Sequence, residues 1–197
     1  MLEDVSLSVA DGESVAVMAP SGQGKSTLLA IAGLLLTPQQ GQVRLDDDVV
    51  SAALGRRLRG DRIQLILQSV NLLPRRSVLD NVVLPALAHG LDRIEAEERA
   101  IRLLDAVGVR LPDRPARTLS GGQAQRVGVA RALVTQPRLV LADEPTANLD
   151  AATATDVARV LLTTTRTSTL VATHDPSVAE LADRVVTLAA LPMERQP

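Results

Sequence analysis

A short loop at residues 19–27 combines small, flexible and cationic residues in an order suited to binding phosphate groups. The loop reads Ala-Pro-Ser-Gly-Gln-Gly-Lys-Ser-Thr, follows a predicted strand and opens a predicted helix. Its glycines let backbone N–H groups approach a phosphate closely, and the start of the helix adds partial positive charge. In such a loop Lys25 reaches the β- and γ-phosphates, and the hydroxyl of Ser26 binds Mg²⁺. We therefore name residues 19–27 the phosphate loop and predict that it binds a nucleoside triphosphate.

The first position of the phosphate loop is Ala19, where the full pattern has glycine. A backbone with positive φ would cost alanine on the order of 1 kcal/mol. However, Pro20 follows, and a residue before proline is biased toward an extended backbone with negative φ. We therefore expect alanine to be tolerated at this position. The alternative for the loop is an ordinary glycine-rich turn between a strand and a helix.

A second glycine-containing segment, Leu-Ser-Gly-Gly-Gln at Leu119–Gln123, precedes another predicted helix. A serine hydroxyl and glycine N–H groups at the start of a helix form a site for an anion. The alternative is a well-capped helix start, because serine is a favoured capping residue.

Polar residues also follow three predicted strands. Asp143 and Glu144 end an apolar strand, Gln68 follows a second strand, and His174 follows a third. An aspartate in such a place suits Mg²⁺, and a glutamate there can polarise a water molecule. Open α/β sheets bind their ligands at the carboxyl ends of the strands, so we expect these side chains to meet at one edge. Taken alone, the two carboxylates are better explained as a solvated acidic strand end, and only the neighbouring motifs favour the Mg²⁺ and water roles.

Strand and helix signals alternate at both ends of the chain, and helical signals dominate its middle. The predicted strands are Val5–Val9, Ser14–Met18, Gln42–Leu45, Ile63–Leu67, Arg138–Ala142, Thr169–Thr173 and Arg184–Leu188. The predicted helices are Lys25–Leu35, Val78–Ala88, Ile94–Val107, Gly122–Val134, Ala151–Leu162 and Pro176–Leu181. This order predicts an α/β core that is interrupted by a helical insert.

The composition excludes several classes of protein. The chain has 197 residues, a net charge of −2, 46% hydrophobic residues, no cysteine and no aromatic residue. Disulfide frameworks, zinc-thiolate sites and thiol catalysis are therefore absent, and no overall basic field attracts nucleic acid. The longest apolar stretch, Leu28–Leu36, is far shorter than the roughly 20 residues of a membrane-spanning helix. With no signal-peptide pattern at the start, we expect a cytoplasmic protein.

Together, these motifs resemble those of the nucleotide-binding subunits of ATP-binding-cassette (ABC) transporters, and the resemblance covers nearly the whole chain. The matching segments, in chain order, are residues 21–27, 68–74, 119–133, 143–146, 147–150 and 173–175. The resemblance implies a P-loop NTPase (RecA-like) α/β core with a mostly parallel sheet. It also implies an N-terminal antiparallel β portion, shortened at its start, and an inserted α-helical subdomain. Residues 1–197 would then form one ABC ATPase domain, with core parts at 1–70 and 136–197 and a helical subdomain at 71–135.

The resemblance further implies that two subunits sandwich two ATP molecules and drive a separate membrane permease. The phosphate-binding residues would be Ser21, Gly22, Gln23, Gly24, Lys25, Ser26 and Thr27, and the Mg²⁺ ligands Ser26, Gln68 and Asp143. Glu144 would act as the base or position the attacking water, with His174, Lys25 and Gln68 completing the catalytic set. Ser120, Gly121, Gly122, Gln123 and Asp150 would act across a homodimer or a paired cassette. We expect no nucleic-acid partner and a position on the inner face of the cell membrane, through the permease.

Within the superfamily, residues 71–74, 80–85 and 142–150 resemble the macrolide-exporter and lipoprotein-releasing group. Two other functions stay open: an ATP-dependent scaffold with little turnover, and an ABC ATPase that acts on nucleic acid or the ribosome. The Leu119–Gln123 segment disfavours a nucleotide kinase. Family members usually stack an aromatic residue on adenine, and this chain has none. Because stacking contributes roughly 1–3 kcal/mol per base, we expect an ATP affinity about 5- to 150-fold weaker.

Overall fold

The computed structural model describes residues 2–20, 22–163 and 167–188. Its centre is a sheet of five strands in the order β4-β5-β6-β1-β7, and every neighbouring pair is parallel. The five strands are β1 (Ser14–Met18), β4 (Ile63–Ile66), β5 (Leu139–Asp143), β6 (Ser168–Thr173) and β7 (Arg184–Thr187). Parallel neighbours require crossover connections, and helices supply them here. The predicted α/β core with a mostly parallel sheet is confirmed.

The central strands are covered on both faces, which explains why they appear in the sequence as continuous apolar runs. In β1, Ala16 belongs to one apolar cluster, whereas Val15 and Val17 belong to the other. In β5, Val140 and Leu141 divide between the two clusters in the same way. Alternate residues of a strand point to opposite faces, so the two clusters lie on the two sides of the sheet. The helices of the core are α1 (Lys25–Ala32), α6 (Ala151–Thr163) and α7 (Pro176–Ala179).

Three longer helices form the middle of the chain: α3 (Val78–Ala88), α4 (Arg93–Ala106) and α5 (Gly121–Leu133). A short 3₁₀ helix at Ala116–Thr118 precedes α5. Each long helix begins at a residue whose side chain accepts a hydrogen bond from the first turn, namely Ser77, Asp92 and Ser120. Such caps satisfy N–H groups that have no partner within the helix.

Most predicted elements are confirmed to within a few residues, and α3 has the predicted bounds. The helix that begins at Lys25 ends at Ala32 instead of Leu35. Gly33 follows it, and Leu34 then adopts a left-handed backbone with φ of 58°. This turn cannot continue a right-handed helix, although the next residues are leucines with good helix propensity.

The predicted strand at Val5–Val9 is wrong, because these residues form an irregular segment. A strand needs a hydrogen-bonded neighbour, and Val5–Val9 pairs with no strand among the described residues. Its alternating apolar side chains, Leu7 and Val9, nevertheless pack against the apolar cluster that contains Val15. In Val5–Val9 the alternation of apolar residues therefore indicates that one side of the segment is buried, and it does not indicate a β-strand.

The predicted strand Gln42–Leu45 is confirmed, but the strand and the helix that follow it were not predicted. Strand β2 (Val43–Leu45) turns back into β3 (Asp48–Val50), and the two form a separate antiparallel hairpin. Helix α2 (Ala52–Asp61) follows, although it contains two glycines. Tertiary contacts hold it, since Nη1 of Arg59 donates to the carbonyl of Leu34 at 2.6 Å. The antiparallel strand pair therefore lies after the phosphate loop in the chain. Among the described residues, no antiparallel strand pair lies before the phosphate loop.

Candidate functional site

The phosphate loop places its single cation at the start of α1, next to β1. Gly22 and Gly24 adopt φ values of 81° and 89°, which side chains rarely accept. A Cβ atom on Gly24 would also lie 2.8 Å from Cδ2 of Leu2. Ala19, by contrast, is not among the residues with positive φ, so the expectation that alanine is tolerated there is confirmed. Ser21 lies outside the described residues.

Lys25 is buried and points back into the loop, where its Nζ donates to the carbonyl of Ala19 at 2.5 Å. The same Nζ lies 3.8 Å from Oε1 of Glu144, at the end of β5. A buried ammonium group whose polar partners are carbonyl and carboxylate oxygens can exchange one of them for a phosphate oxygen. Gly22, Ser26 and Thr27 are exposed around it.

The polar residues that follow β5 and β6 meet at the same edge of the sheet. Nδ1 of His174 lies 2.8 Å from Oε1 of Glu144, the oxygen that also faces Lys25. A carboxylate only accepts hydrogen bonds, so Nδ1 of His174 carries the proton. Most of the Glu144 side chain is covered (14% exposed), whereas His174 is open to solvent (66% exposed). The result is one carboxylate held between two cationic or proton-donating groups, with access for a ligand from the histidine side.

Glu144 itself has a left-handed backbone, with φ of 47°. A residue other than glycine or asparagine adopts this conformation at a cost of roughly 1–2 kcal/mol. The N–H group of Glu144 donates to the carbonyl of Ala172 in β6 at 2.9 Å, which holds the strained residue in place. Strand β5 ends one residue earlier, at Asp143, and the chain turns at Glu144 so that its carboxylate faces Lys25. Such strain is typical of residues at functional sites.

Three oxygen-bearing residues lie near this edge as potential ligands of a divalent cation. Asp143 is the last residue of β5 and is half-buried, while Ser26 and Gln68 are exposed. Their hydroxyl, amide and carboxylate oxygens are the donors that Mg²⁺ accepts. No group of three or more histidine, aspartate or glutamate residues that could hold a metal occurs in the part of the chain that the structure describes. Mg²⁺ usually takes few protein ligands and completes its shell with water and phosphate oxygens, and these three oxygens are of the type that it accepts.

The segment Leu119–Gln123, which we name the signature segment, lies at the start of α5. The hydroxyl of Ser120 accepts from the N–H of Gln123 at 3.2 Å, and Oε1 of Gln123 accepts from the N–H of Ser120 at 3.1 Å. These two hydrogen bonds form a capping box, so the segment is a capped helix start. This cap does not prevent the segment from also binding an anion. The exposed hydroxyl of Ser120 still has its own proton to donate. Among the described residues, no hydrogen bond or ion pair joins this segment to Lys25 or Glu144 of the same chain.

Gly122 of the signature segment packs against the loop that follows β5. A Cβ atom there would lie 3.1 Å from Cδ2 of Leu149 and 3.2 Å from the carbonyl oxygen of Asn148. Gly121 is exposed and has open space around it. Asp150 ends the loop and accepts from the N–H of Thr153 at 3.1 Å, at the start of α6. Hydrogen bonds from the side chain and backbone of Thr153 lower the pKa of Asp150.

Two residues that the sequence analysis did not single out hold the segment after Gln68. Nδ2 of the buried Asn81 donates to the carbonyl of Leu73 at 3.1 Å, and its Oδ1 accepts from the N–H of Leu73 at 2.7 Å. Nη1 of Arg131 donates to the carbonyl of Asn71 at 2.7 Å, and burial lowers the pKa of Arg131. An asparagine within the apolar run of α3 was a signal in the sequence, because a buried amide needs partners. No comparable signal marked Arg131.

A groove of about 370 Å³ opens beside these two residues, between the sheet and the helices α3 and α5. Its lining includes Leu73 and Leu84, which are 45% and 50% exposed. Among the described helices, none is long and apolar enough to cross a membrane.

Comparisons with known proteins agree with this geometry. Residues 2–147 match the sequence profile of the family described as ABC transporter. The chain is 51% identical to the lipoprotein-releasing system ATP-binding protein LolD of Cereibacter sphaeroides, over 96% of this chain and 88% of that protein. It is 44% identical to the macrolide export ATP-binding/permease protein MacB of Marinobacter nauticus, over 96% of this chain and 30% of that longer protein.

Solved structures give the same result. The dimeric structure of MJ0796, a bacterial ABC transporter cassette, superimposes with a TM-score of 0.86 and 35% identity, over 95% of this chain and 85% of that one. A second structure of MJ0796, in a post-hydrolysis state with ADP and Pi, gives a TM-score of 0.84 at 35% identity, with the same coverage of 95% and 85%. The chain therefore belongs to the ABC transporter family, as an ATP-hydrolysing cassette that works with a membrane permease.

Proposed function

We propose that ATP is hydrolysed at the cluster of Lys25, Glu144 and His174, in a site that a second cassette completes with its signature segment. One observation carries this assignment: Lys25 and His174 converge on the same oxygen of Glu144 at the carboxyl edge of the sheet. Because both groups lie on Oε1, the other carboxylate oxygen of Glu144, Oε2, is left to accept a proton from water beside a bound phosphate.

Before ATP binds, Lys25 donates to the carbonyl of Ala19. The terminal phosphates carry more negative charge than a carbonyl or one carboxylate, so they draw Lys25 away from Ala19 and Glu144. Glu144 is then free to accept a proton from the attacking water, and the Nδ1–H of His174 keeps its carboxylate in position. The exposed His174 contacts the γ-phosphate from the open side of the cluster.

The N–H groups of residues 22–27 bind the phosphates, and a second copy donates from Ser120 and the N–H of Gly122. Oxygens of Ser26, Gln68 and Asp143 would hold Mg²⁺, which neutralises phosphate charge when bound. Hydrolysis is a direct transfer of the phosphoryl group to water, and no residue of the chain becomes covalently modified. Asp150 lies at the interface between the two cassettes.

We further propose that residues 71–135 act as the subdomain that receives the permease, between core parts at 1–70 and 136–197. The groove beside Leu73 and Leu84 supports this, since exposed leucines around a cavity mark an interaction surface. Through the permease, the cassette would lie on the inner face of the cell membrane. The resemblance to LolD and MacB favours export or lipoprotein release as the process that it drives.

The test is the Glu144→Gln variant, studied by size-exclusion chromatography with light scattering in the presence and absence of Mg-ATP. Refractive index must report concentration, because the chain has neither Trp nor Tyr. We expect a dimer with Mg-ATP, a monomer without it, and loss of the ATP turnover that the wild type displays. Glu98→Gln, on the exposed surface of α4, is the matched control and should keep wild-type turnover.

A monomer under both conditions would contradict the composite site. Equal turnover by the wild type and Glu144→Gln would contradict the role of Glu144. Absence of turnover in the wild type, with ATP-dependent dimerisation intact, would favour an ATP-dependent scaffold.

A further inference from the structure

Helix α5 buries a polar side chain that has no partner. Gln125 lies in the second turn of α5, and its side chain is 2% exposed. In the part of the chain that the structure describes, neither its Nε2 nor its Oε1 makes a hydrogen bond. An amide that leaves water without gaining a new partner costs free energy. A buried amide of this kind in a native fold therefore requires an explanation.

The other buried polar side chains show how unusual this is. Asn81, the buried amide of α3, makes three hydrogen bonds. Two further side-chain atoms among the described residues are buried without a partner, Nε of Arg126 and Oγ1 of Thr135. Both belong to half-buried residues, and Arg126 still donates through Nη1 to the carbonyl of Gly108 at 2.9 Å. Of these three, only Gln125 is a buried residue.

Two glycines of α5 show which part of the fold Gln125 faces. Gly122 lies three residues before it and Gly128 three residues after it, so the three residues are neighbours on one side of the helix. A Cβ atom on Gly122 would lie 3.2 Å from the carbonyl oxygen of Asn148, in the loop after β5. A Cβ atom on Gly128 would lie 2.8 Å from Cγ1 of Val70, in the segment after β4. Gln125 therefore faces the boundary between these two segments.

Both segments offer acceptors that are free. Among the described residues, the backbone of Asn148 makes no hydrogen bond, and neither does that of Val70. Side chains on an α-helix lean toward its N-terminus. This direction takes the amide of Gln125 toward Gly122, and therefore toward the carbonyl of Asn148 rather than toward Val70. A donor without an acceptor thus lies beside an acceptor without a donor.

We propose that Gln125 is a positioning residue for ATP hydrolysis, whose Nε2 donates to the carbonyl of Asn148 when two cassettes close on ATP. The loop that contains Asn148 begins at Glu144 and ends at Asp150. The hydrogen bond therefore fixes the position of Glu144 relative to the signature segment, which opens the same helix as Gln125. The proposal rests on the proposed function, since it concerns how the carboxylate of that site is held.

The unpaired amide biases the molecule toward the closed state. A hydrogen bond that exists in one state only adds its free energy to the difference between the two states. In the ATP-free fold Gln125 contributes the cost of a buried, unpaired amide, and closure removes that cost. An apolar side chain of the same length should therefore stabilise the ATP-free fold and weaken the closed arrangement. A side chain with a purely structural role would not affect the two states in opposite directions.

The test is the Gln125→Met variant, because methionine is unbranched, of similar length and has no amide. Without ATP, we expect its urea midpoint, followed by far-UV circular dichroism, to lie above that of the wild type. With Mg-ATP, we expect kcat to fall by about 2- to 13-fold, the equivalent of one neutral hydrogen bond, while KM stays the same. The exposed Gln40→Met is the matched control, and both of its values should equal those of the wild type.

Hydrogen exchange provides a measurement that does not depend on turnover. In Glu144→Gln, which we expect to hold the ATP-bound dimer, Mg-ATP should increase the protection of the backbone amides of residues 147–150. Adding Gln125→Met should reduce this gain by about the same 2- to 13-fold, because the loop then loses its contact with α5. Adding Gln40→Met should leave the gain unchanged.

A urea midpoint of Gln125→Met that is no higher than that of the wild type would overturn the proposal, because the amide would then be paired in the ATP-free fold. A kcat equal to that of the wild type would also overturn it. Protection that depends on Gln125, in a chain without ATP turnover, would contradict the proposed function and leave the contact with Asn148 standing. Turnover that requires Glu144, with protection independent of Gln125, would do the reverse.

Discussion

Asn81, in helix α3, offers the sharpest test of how the segment after Gln68 is held in place. Its side chain is 1% exposed and makes three hydrogen bonds. Two join it to the backbone of Leu73, at 2.7 and 3.1 Å, and one joins it to the carbonyl of Ser77 at 2.8 Å. The Asn81→Ala substitution removes all three and leaves backbone groups of Leu73 without their partner.

The expected loss follows from these contacts. Each hydrogen bond contributes about 0.5–1.5 kcal/mol net, so the free energy of unfolding should fall by about 2–4 kcal/mol. For a domain of this size each kcal/mol shifts Tm by about 2–4 °C, which predicts a fall of about 5–15 °C. Far-UV circular dichroism during urea and thermal unfolding measures both quantities, since the chain has no Trp or Tyr to fluoresce.

Asn71→Ala is the matched control. Asn71 is exposed, and its side chain makes no hydrogen bond among the described residues, so the loss should stay within about 0.5 kcal/mol. A loss for Asn81→Ala that is no larger than for Asn71→Ala would refute the reasoning. The assay assumes a two-state transition, which coincident urea and thermal results would support.

Asn81→Asp adds a test of sign. One oxygen of the new carboxyl would keep the N–H of Leu73, but the other would face the carbonyls of Leu73 and Ser77. Burial and these two carbonyls together disfavour its charged form and raise its pKa in the folded state. Stability relative to the wild type should then be highest at acidic pH and should fall as pH rises. A loss that does not change between pH of about 4 and about 8 would contradict this placement of the side chain.

Three further predictions concern other parts of the fold. Gly24→Ala should abolish ATP binding in an equilibrium assay, because φ is 89° and the new Cβ would lie 2.8 Å from a leucine side chain; wild-type affinity would contradict the strained loop. Arg59→Ala should lower the free energy of urea unfolding by about 1–2 kcal/mol, since Nη1 donates to two carbonyls at the end of α1. The exposed Arg57→Ala is its control, and equal effects would refute the role of Arg59. Hydrogen bonds from Ser14 lower the pKa of Asp183, so they stabilise the fold above the ordinary carboxyl pKa, and this contribution disappears as pH falls below about 4. In Asp183→Asn the urea midpoint should therefore decrease less between neutral and acidic pH than it does in the wild type. The same decrease in both proteins would contradict this role of Asp183.

The sequence by itself determined the features that depend on neighbouring residues. Glycines, a lysine and a helix start within nine positions identified the phosphate loop. Helix α3 has its predicted bounds because Ser77 caps its start and Gly90, with φ of 83°, turns the chain just after its end. Apolar runs identified β1, β5 and β6, since strands that are buried on both faces need apolar side chains at every position. Polar residues after those runs correctly indicated one edge of the sheet.

Tertiary structure alone decided the features that depend on distant partners. The alternating residues Val5–Val9 predicted a strand, yet a strand exists only where a neighbour supplies hydrogen bonds. Helix α2 contains glycines and forms because Arg59 reaches the end of α1, 25 residues away in the chain. The convergence of Lys25 and His174 on one oxygen of Glu144 likewise depends on how β1, β5 and β6 are ordered in the sheet. Local patterns are set by contacts within a few residues, whereas strand order and long-range hydrogen bonds are chosen by the packing of the whole core.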